Sequence, residues 1–490
     1  IPFLKKFEST VRCCTQNGIR GGSATVHFPI WHQEIEDILV LKNNKGTQDN
    51  RVRKLDYSIQ LSQLFYQRFI DDGDITLFSP HDVPGLYEAF GTPRFDSLYV
   101  RYENKPEIRK KTISAQKLIL DLLKERAETG RIYIMNIDHC NSHSSFTDKV
   151  TMSNLCQEIT LPTKPLNHID TEDGEIALCI LSAINVGKIN RLDELESLCD
   201  LAVRGLEELI DYQDYPIPAA QNSTLNRRSL GIGYIGFAHY LAKNGAKYDS
   251  QEALTLTHDL TEAFQYYLLK SSNEIAKEKS ACKYFRFTKY HNGILPIDTY
   301  KKEVDELVEP QYKYDWDSLR DDIKQYGLRH STLSAQMPSE SSSVVSNATN
   351  GIEPPRDYLS IKKSKKGPLK QIVPQYNTLK NNYTLLWDMK SNEGYIKVVA
   401  VMQKFFDQAI SGNWSYNPEN YPNNEIPMSV FSMDLLNTYK YGWKTSYYQN
   451  TYDNKKDIEE PIAEVAHTDL NSLVDDILSG DEAECEACNV

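Results

Sequence analysis

Short strand-like runs alternate along this chain with amphipathic helical runs, and that order leaves few architectures open. Helical periodicity covers 112–128 and 193–212, the second through Leu195, Leu198, Leu201, Ala202, Leu206 and Leu209. Between them lie the strand-like runs Arg131–Ile137 and Ile176–Leu181. Further helices are expected at 252–281 and 393–411, and further strands at Ser331–Gln336 and Lys444–Gln449. Such alternation predicts an α/β fold with parallel pairing. A chain of 490 residues has room for roughly two or three domains or for one large α/β barrel with insertions. No internal repeat is visible, and the lysine-rich stretch Ser360–Pro368 reads as a solvated loop.

Composition excludes several function classes. No stretch approaches the ~20 apolar residues of a membrane span, and no signal-peptide pattern is present. An odd number of cysteines, nine, in a chain without a secretory signal predicts reduced thiols and a cytoplasmic protein (the host cytoplasm if phage-encoded). The net charge of −13 is concentrated at one end, where Asp453–Val490 holds twelve acids against Lys455 and Lys456. That segment reads as a flexible acidic tail. No basic face is evident, so neither direct nucleic-acid binding nor a membrane surface is expected. Ile1-Pro2 opens without an initiator methionine, so the chain reads as one entered mid-domain: a fragment, a processed product or one half of a split gene.

Asn154-Leu155-Cys156-Gln157-Glu158 sets an amide, a thiol and a carboxylate at alternate positions. In an extended segment these would share one face, a thiol between a hydrogen-bonding amide and a proton acceptor. On spacing alone, a buried cysteine with polar neighbours is the competing reading. Gly231-Ile232-Gly233-Tyr234-Ile235-Gly236 matches a dinucleotide fingerprint, but Asn226-Arg227-Arg228-Ser229 precedes it where a hydrophobic strand is required. A packing turn ahead of a helix is expected there. His139-Cys140-Asn141-Ser142-His143 has no second cluster at zinc-like spacing and reads as polar residues capping a strand, so no metal site is expected. Cys485-x-x-Cys488 is either a redox pair on a mobile tail or two incidental thiols. Tyr447-Tyr448 reads locally as strand packing on opposite faces. Pro338-Ser339-Glu340-Ser341-Ser342-Ser343 could open a helix and meet a phosphate, or be a cap with no ligand. Gly18–Ser23 is a flexible loop or a backbone approach to a ligand, with Arg20 as its charged contact.

Taken together, Gly18–Ala24, Asp74–Tyr87, Ser153–Pro165, Ile176–Asn185, Asp211–Ala220, Met337–Pro355 and Tyr447–Asn450 resemble the large catalytic subunit of class Ia ribonucleoside-diphosphate reductases, in its enterobacterial and T4-like phage forms. The resemblance runs in register over nearly the whole chain. It implies a ten-stranded α/β barrel, here lacking the N-terminal ATP cone and first barrel strands. Residues 1–150 would then be the remainder of the first barrel half with the specificity loop, and 151–165 a finger loop. Residues 166–452 would be the second half, and 453–490 the tail.

By the same resemblance Cys156 carries a thiyl radical, Glu158 is the base on the substrate 3′ hydroxyl and Asn154 binds the sugar. Cys179 is one of the two thiols that reduce the 2′ carbon, the other lying upstream of Ile1. Cys485 and Cys488 re-reduce that pair and are themselves reduced by thioredoxin or glutaredoxin. Tyr447 and Tyr448 relay the radical, Pro338, Ser339, Glu340, Ser341 and Ser342 hold the substrate diphosphate, and Gln16 and Arg20 lie in the allosteric loop. The implied activity is thiyl-radical reduction of ribonucleoside diphosphates to deoxyribonucleotides for DNA synthesis. It would be governed by dNTP and ATP effectors, with no covalently bound cofactor and with a diiron-tyrosyl radical supplied by the small (beta) subunit. An alpha dimer and the N-terminal portion of the large subunit complete the implied partners. The alternative is a catalytically incomplete assembly fragment that acts only when joined to an N-terminal polypeptide. A glycyl-radical enzyme on the same barrel would need a glycine-bearing loop near the C-terminus, where this chain has tyrosines and cysteines.

Overall fold

The computed structural model describes residues 1–16, 18, 20–364 and 367–453. Six strands frame its centre: β1 (Thr25–Pro29), β2 (Asp56–Leu61), β3 (Ile132–Asn136), β4 (Leu181–Asn185), β5 (Gly231–Ile235) and β6 (Thr445–Ser446). The first three pair in parallel in the order β1-β2-β3, and β6 adds antiparallel to β3. A second parallel arc begins with β4 on β5 and continues through single bridges, Ile232 to Ser334 and Gln336 to Ile410. Every residue of β3 and β5 is buried, as strands covered on both faces must be. The fold is therefore mixed α/β with parallel arcs. Among the described residues the strands form separate sheets rather than a closed ten-stranded barrel.

Helices cover these arcs. Helix α1 (Ala115–Thr129) starts where the Ser114 hydroxyl accepts from the Lys117 N–H and stops at Gly130, which is left-handed at φ +67. A side chain at Gly130 would also meet the Gln449 carbonyl at 2.8 Å, so conformation and space both require glycine. Helix α2 (Glu194–Tyr212) buries Leu195, Cys199, Val203, Leu206 and Ile210 at three- and four-residue steps. Helix α3 (Gln251–Lys279) is capped by the Ser250 hydroxyl, and helix α4 (Glu393–Gln403) is buried almost all round. One apolar core runs through both arcs, from Ile30 and Trp31 to Trp414 and Trp443.

Several expected elements move, each because a distant partner claims the backbone. The strand expected at Ile176–Leu181 begins only at Leu181, in register with Gly231, and the Ile176 N–H is already spent on the Ala219 carbonyl. The Gly231–Gly236 motif is not a turn. It is strand β5 itself, ended by left-handed Gly236. Its glycines admit neighbours: a side chain at Gly231 would strike Leu181 at 2.7 Å, and one at Gly233 the Ala335 carbonyl at 2.7 Å. A phosphate-binding loop needs those glycines after the strand, not within it.

Helix α4 stops at Gln403 because 405–411 is drawn away as a strap. The Asp407 carboxylate accepts from the Leu333 and Ser334 N–H groups at 2.9 Å each, and buried Lys444 donates to the carbonyls of Phe406, Asp407 and Gln408. The loop expected at 360–368 includes the arms of an antiparallel hairpin, Leu359–Ser364 with Gly367–Ile372. His139 to Ser142 lie on a short helix, Ile137–Ser142, rather than capping a strand. Both histidines there are held by carbonyls, His139 by Trp443 and His143 by Gln403. Near the start, Pro2–Cys13 is helical and is followed by a small hairpin that pairs the backbones of Gln16 and Arg20.

Candidate active site

The Asn154–Glu158 segment is a turn, not the extended segment its alternation suggests. Gln157 is left-handed at φ +74, and its N–H reaches back to the Asn154 carbonyl. Irregular backbone inside a protein must find partners outside itself, and here four successive carbonyls do so on three elements. Leu155 accepts from Thr25 of β1 at 3.0 Å and Cys156 from Ser411 of the strap at 2.6 Å. Gln157 accepts from Thr445 of β6 at 2.9 Å, and Glu158 from the Ala409 N–H at 2.9 Å. The Gln157 amide is buried, taking the Ser58 hydroxyl of β2 at 2.8 Å. Just beyond this turn, Ile159 and Leu161 pack with Phe146 and Ala335 in a small apolar cluster of their own.

This clamping leaves the Cys156 sulfur at the end of a hydroxyl chain. The Tyr447 hydroxyl donates to it at 3.5 Å and lies 2.7 Å from the Tyr448 hydroxyl. The two rings stack, with centroids 3.8 Å apart. Adjacent side chains in a regular strand face opposite ways. Here pairing lapses between β6 and Gln449–Thr451, and the lapse lets both tyrosines turn to one side. Arg126 of α1, fully buried, donates to both tyrosine carbonyls, at 2.7 and 3.2 Å. Arg131 donates to the Tyr448 hydroxyl at 2.9 Å and covers its ring, while Tyr133 packs against Tyr447 with centroids 4.8 Å apart. Burial, then the neighbouring Cys156 and Tyr133, hold the Tyr447 phenol far above its ordinary range.

Asn154 joins the remaining groups. Its amide donates to the Cys179 sulfur at 3.7 Å, and its carbonyl oxygen accepts from the Ile159 N–H. Burial raises the Glu158 carboxyl above its usual range, against hydrogen bonds from Asn154, its own backbone and Ser411. Cys179 is exposed, yet desolvation by the protein around the sulfur and the Glu158 carboxylate raise its thiol. Asn154, Cys156, Glu158, Cys179, Tyr447 and Tyr448 thus form one connected site.

The other expected residues lie apart from it in varying degree. Pro338 to Ser342 follow Ala335 and open the short helix Glu340–Val345, with Ser339 buried and Pro338, Glu340, Ser341 and Ser342 exposed. Gln16 and Arg20 belong to the N-terminal hairpin. Cys485 and Cys488 lie outside the described residues. Ser58, Arg126, Arg131, Tyr133, Ser411 and Thr445 were not found by sequence reasoning, since none stands in a motif. Among the described residues no group of three or more metal-ligating side chains comes together, and no helix is long and apolar enough to cross a membrane.

The family model for the ribonucleotide reductase barrel domain matches residues 1–449. The chain belongs to this family. It is 59% identical over 467 residues to the ribonucleoside-diphosphate reductase subunit alpha of Haemophilus influenzae, covering 94% of this chain and 62% of that one. The Escherichia coli ribonucleoside-diphosphate reductase 1 subunit alpha is 55% identical over 467 residues, covering 94% and 61%. The subunit alpha of phage T4 is 44% identical over 478 residues, covering 95% and 63%. The chain therefore spans between 61% and 63% of the length of these relatives.

Proposed function

We propose that this chain provides the catalytic centre of a ribonucleoside-diphosphate reductase in which Cys156 takes hydrogen from the substrate sugar. The supporting observation is the unbroken line from Tyr448 through Tyr447 to the Cys156 sulfur, with steps of 2.7 and 3.5 Å. Tyr448 gives an electron and its phenolic proton toward a radical-generating small subunit. Tyr447 refills Tyr448, and the Cys156 S–H refills Tyr447, so each step moves one hydrogen atom and leaves no charge behind. The Cys156 thiyl removes the 3′ hydrogen of the ribose while Glu158 accepts the 3′ hydroxyl proton.

The 2′ hydroxyl then leaves as water. Cys179 and a second thiol from outside this chain together supply two electrons and two protons and close a disulfide. Cys156 returns its hydrogen to the 3′ carbon, and the radical travels back along the tyrosines. Asn154, shared between Cys179 and Glu158, orients the sugar between reductant and base.

The rest of the reading extends from this centre. The parallel arcs are segments of a ten-stranded barrel crossed by the finger, in an alpha dimer. Backbone N–H groups and hydroxyls of Pro338 to Ser342 receive the diphosphate. Gln16 and Arg20 carry the influence of dNTP or ATP effectors. Cys485 and Cys488 re-reduce the disulfide with electrons from thioredoxin or glutaredoxin, in the cytoplasm. The names of the relatives favour this catalytic reading over an inert assembly fragment. The test is CDP reduction by the full-length protein containing this chain together with its small subunit. Parent enzyme should turn over, while Cys156→Ser and Tyr447→Phe should not. Turnover retained by Cys156→Ser would overturn the proposal.

A further inference from the structure

The Ser411 hydroxyl lies 2.6 Å from the Cys156 carbonyl oxygen and 3.2 Å from Glu158 Oε2. A serine hydroxyl has one hydrogen and two lone pairs. A carbonyl only accepts, so the bond to Cys156 uses that hydrogen and turns a lone pair toward Glu158. That arrangement is attractive when the carboxyl is protonated and donates. When Glu158 is ionised, two acceptors compete for one hydrogen, and the carboxylate wins because charge-assisted bonds are about twice as strong. Ser411 is 6% exposed and Glu158 2%, so solvent does little to relieve the competition.

We propose that Ser411 is a positioning residue that couples the protonation state of Glu158 to the backbone of Cys156. The inference rests on the role of Glu158 as base proposed above. With Glu158 ionised, the hydroxyl donates to Oε2. When Glu158 takes the substrate proton, its new O–H donates to the Ser411 oxygen, and the serine hydrogen turns to the Cys156 carbonyl. No proton leaves the pair, and Ser411 stays neutral throughout. The finger tip therefore gains a backbone bond at the stage when the Cys156 sulfur has just received the sugar hydrogen.

The titratable side chains around Glu158 are the Cys156 and Cys179 thiols and, past Cys156, the Tyr447 phenol. The charged groups of the adjoining strap and strand turn elsewhere, Asp407 to backbone N–H groups and Lys444 to backbone carbonyls. Ser411 is thus the hydroxyl through which the base and the radical cysteine meet.

The test compares parent, Ser411→Ala and Ser411→Thr in the full-length enzyme with its small subunit, measuring kcat and KM from acid to neutral pH. Ser411→Ala should leave KM for the ribonucleotide nearly unchanged and lower kcat about tenfold. It should also move the acid limb up by about half to one pH unit, since the ionised carboxylate loses a donor. Ser411→Thr, which keeps the hydroxyl, should restore both. An acid limb in Ser411→Ala that coincides with the parent's, or a loss that threonine does not restore, overturns the coupling while leaving the proposed function standing. A parent enzyme that reduces no ribonucleotide overturns the proposed function, and the coupling falls with it.

Discussion

Cys156 is held as firmly by its peptide neighbours as by any side-chain contact, because the four carbonyls from Leu155 to Glu158 are tied to β1, β6 and, twice, the strap 405–411. Chemistry at such a site depends on sub-ångström placement. Replacing Glu158 by Gln keeps the shape and removes the proposed base, so turnover should fall by about 10²- to 10⁴-fold with a smaller change in KM. Burial raises the Glu158 carboxyl, so its ionised form is lost as pH falls through that raised value. The acid limb of the rate profile should therefore lie above the ordinary carboxylate range, which a pH series on the parent enzyme checks. At this scale the sequence disclosed the residue types of the site, Asn154, Cys156 and Glu158, but for an incomplete reason. Their alternation suggested a strand, whereas a left-handed Gln157 makes a turn. Ser411 had no local signature at all.

Helices were the most legible elements, since a period of 3.6 survives whatever they pack against, as in α2 and α3. Strand limits were less legible, because a strand exists only where a partner lies in register, and Leu181 waits for Gly231. Gly130 terminates α1 in a left-handed conformation under the Gln449 carbonyl. Gly130→Ala should cost about 1–3 kcal/mol in denaturant unfolding and disturb the segment that follows the tyrosines. On the helix Met428–Lys440, burial raises the Asp434 carboxyl to about 6, against hydrogen bonds from Tyr416 and Asn392. A carboxyl raised in the folded state costs stability as pH climbs through that value and costs nothing well below the usual carboxylate range. Asp434→Asn should therefore stabilise the protein by about 2 kcal/mol above neutral pH, and the gain should vanish in acid, as urea melts at several pH values would reveal.

Across the whole molecule, buried Glu207 of α2 binds Arg228 at 2.7 Å, Arg329 at 2.7 Å and His330 at 3.0 Å. It thereby fastens the segments on either side of β5 and α3 to one helix. Burial opposes its ionisation, but the bonds from His330, Arg228 and Arg329 outweigh it and hold the carboxyl below its usual range. That contribution is complete above the ordinary carboxylate range and is lost as pH falls below it. Glu207→Ala strands buried cations and should cost about 3–5 kcal/mol in equilibrium unfolding. Glu207→Gln should flatten the acid end of the stability profile.

Sequence alone determined the α/β class, the main helices and the residue types of the candidate site, because periodicity and residue chemistry are local properties. Only the tertiary structure decided that Tyr447 reaches Cys156 from 291 positions away. It alone decided that strand pairing lapses to stack two tyrosines, and that the Ser411 hydroxyl lies between the Cys156 carbonyl and the Glu158 carboxyl. Those contacts arise from long-range closure of the chain around a shared core, and no window of neighbouring residues carries that information.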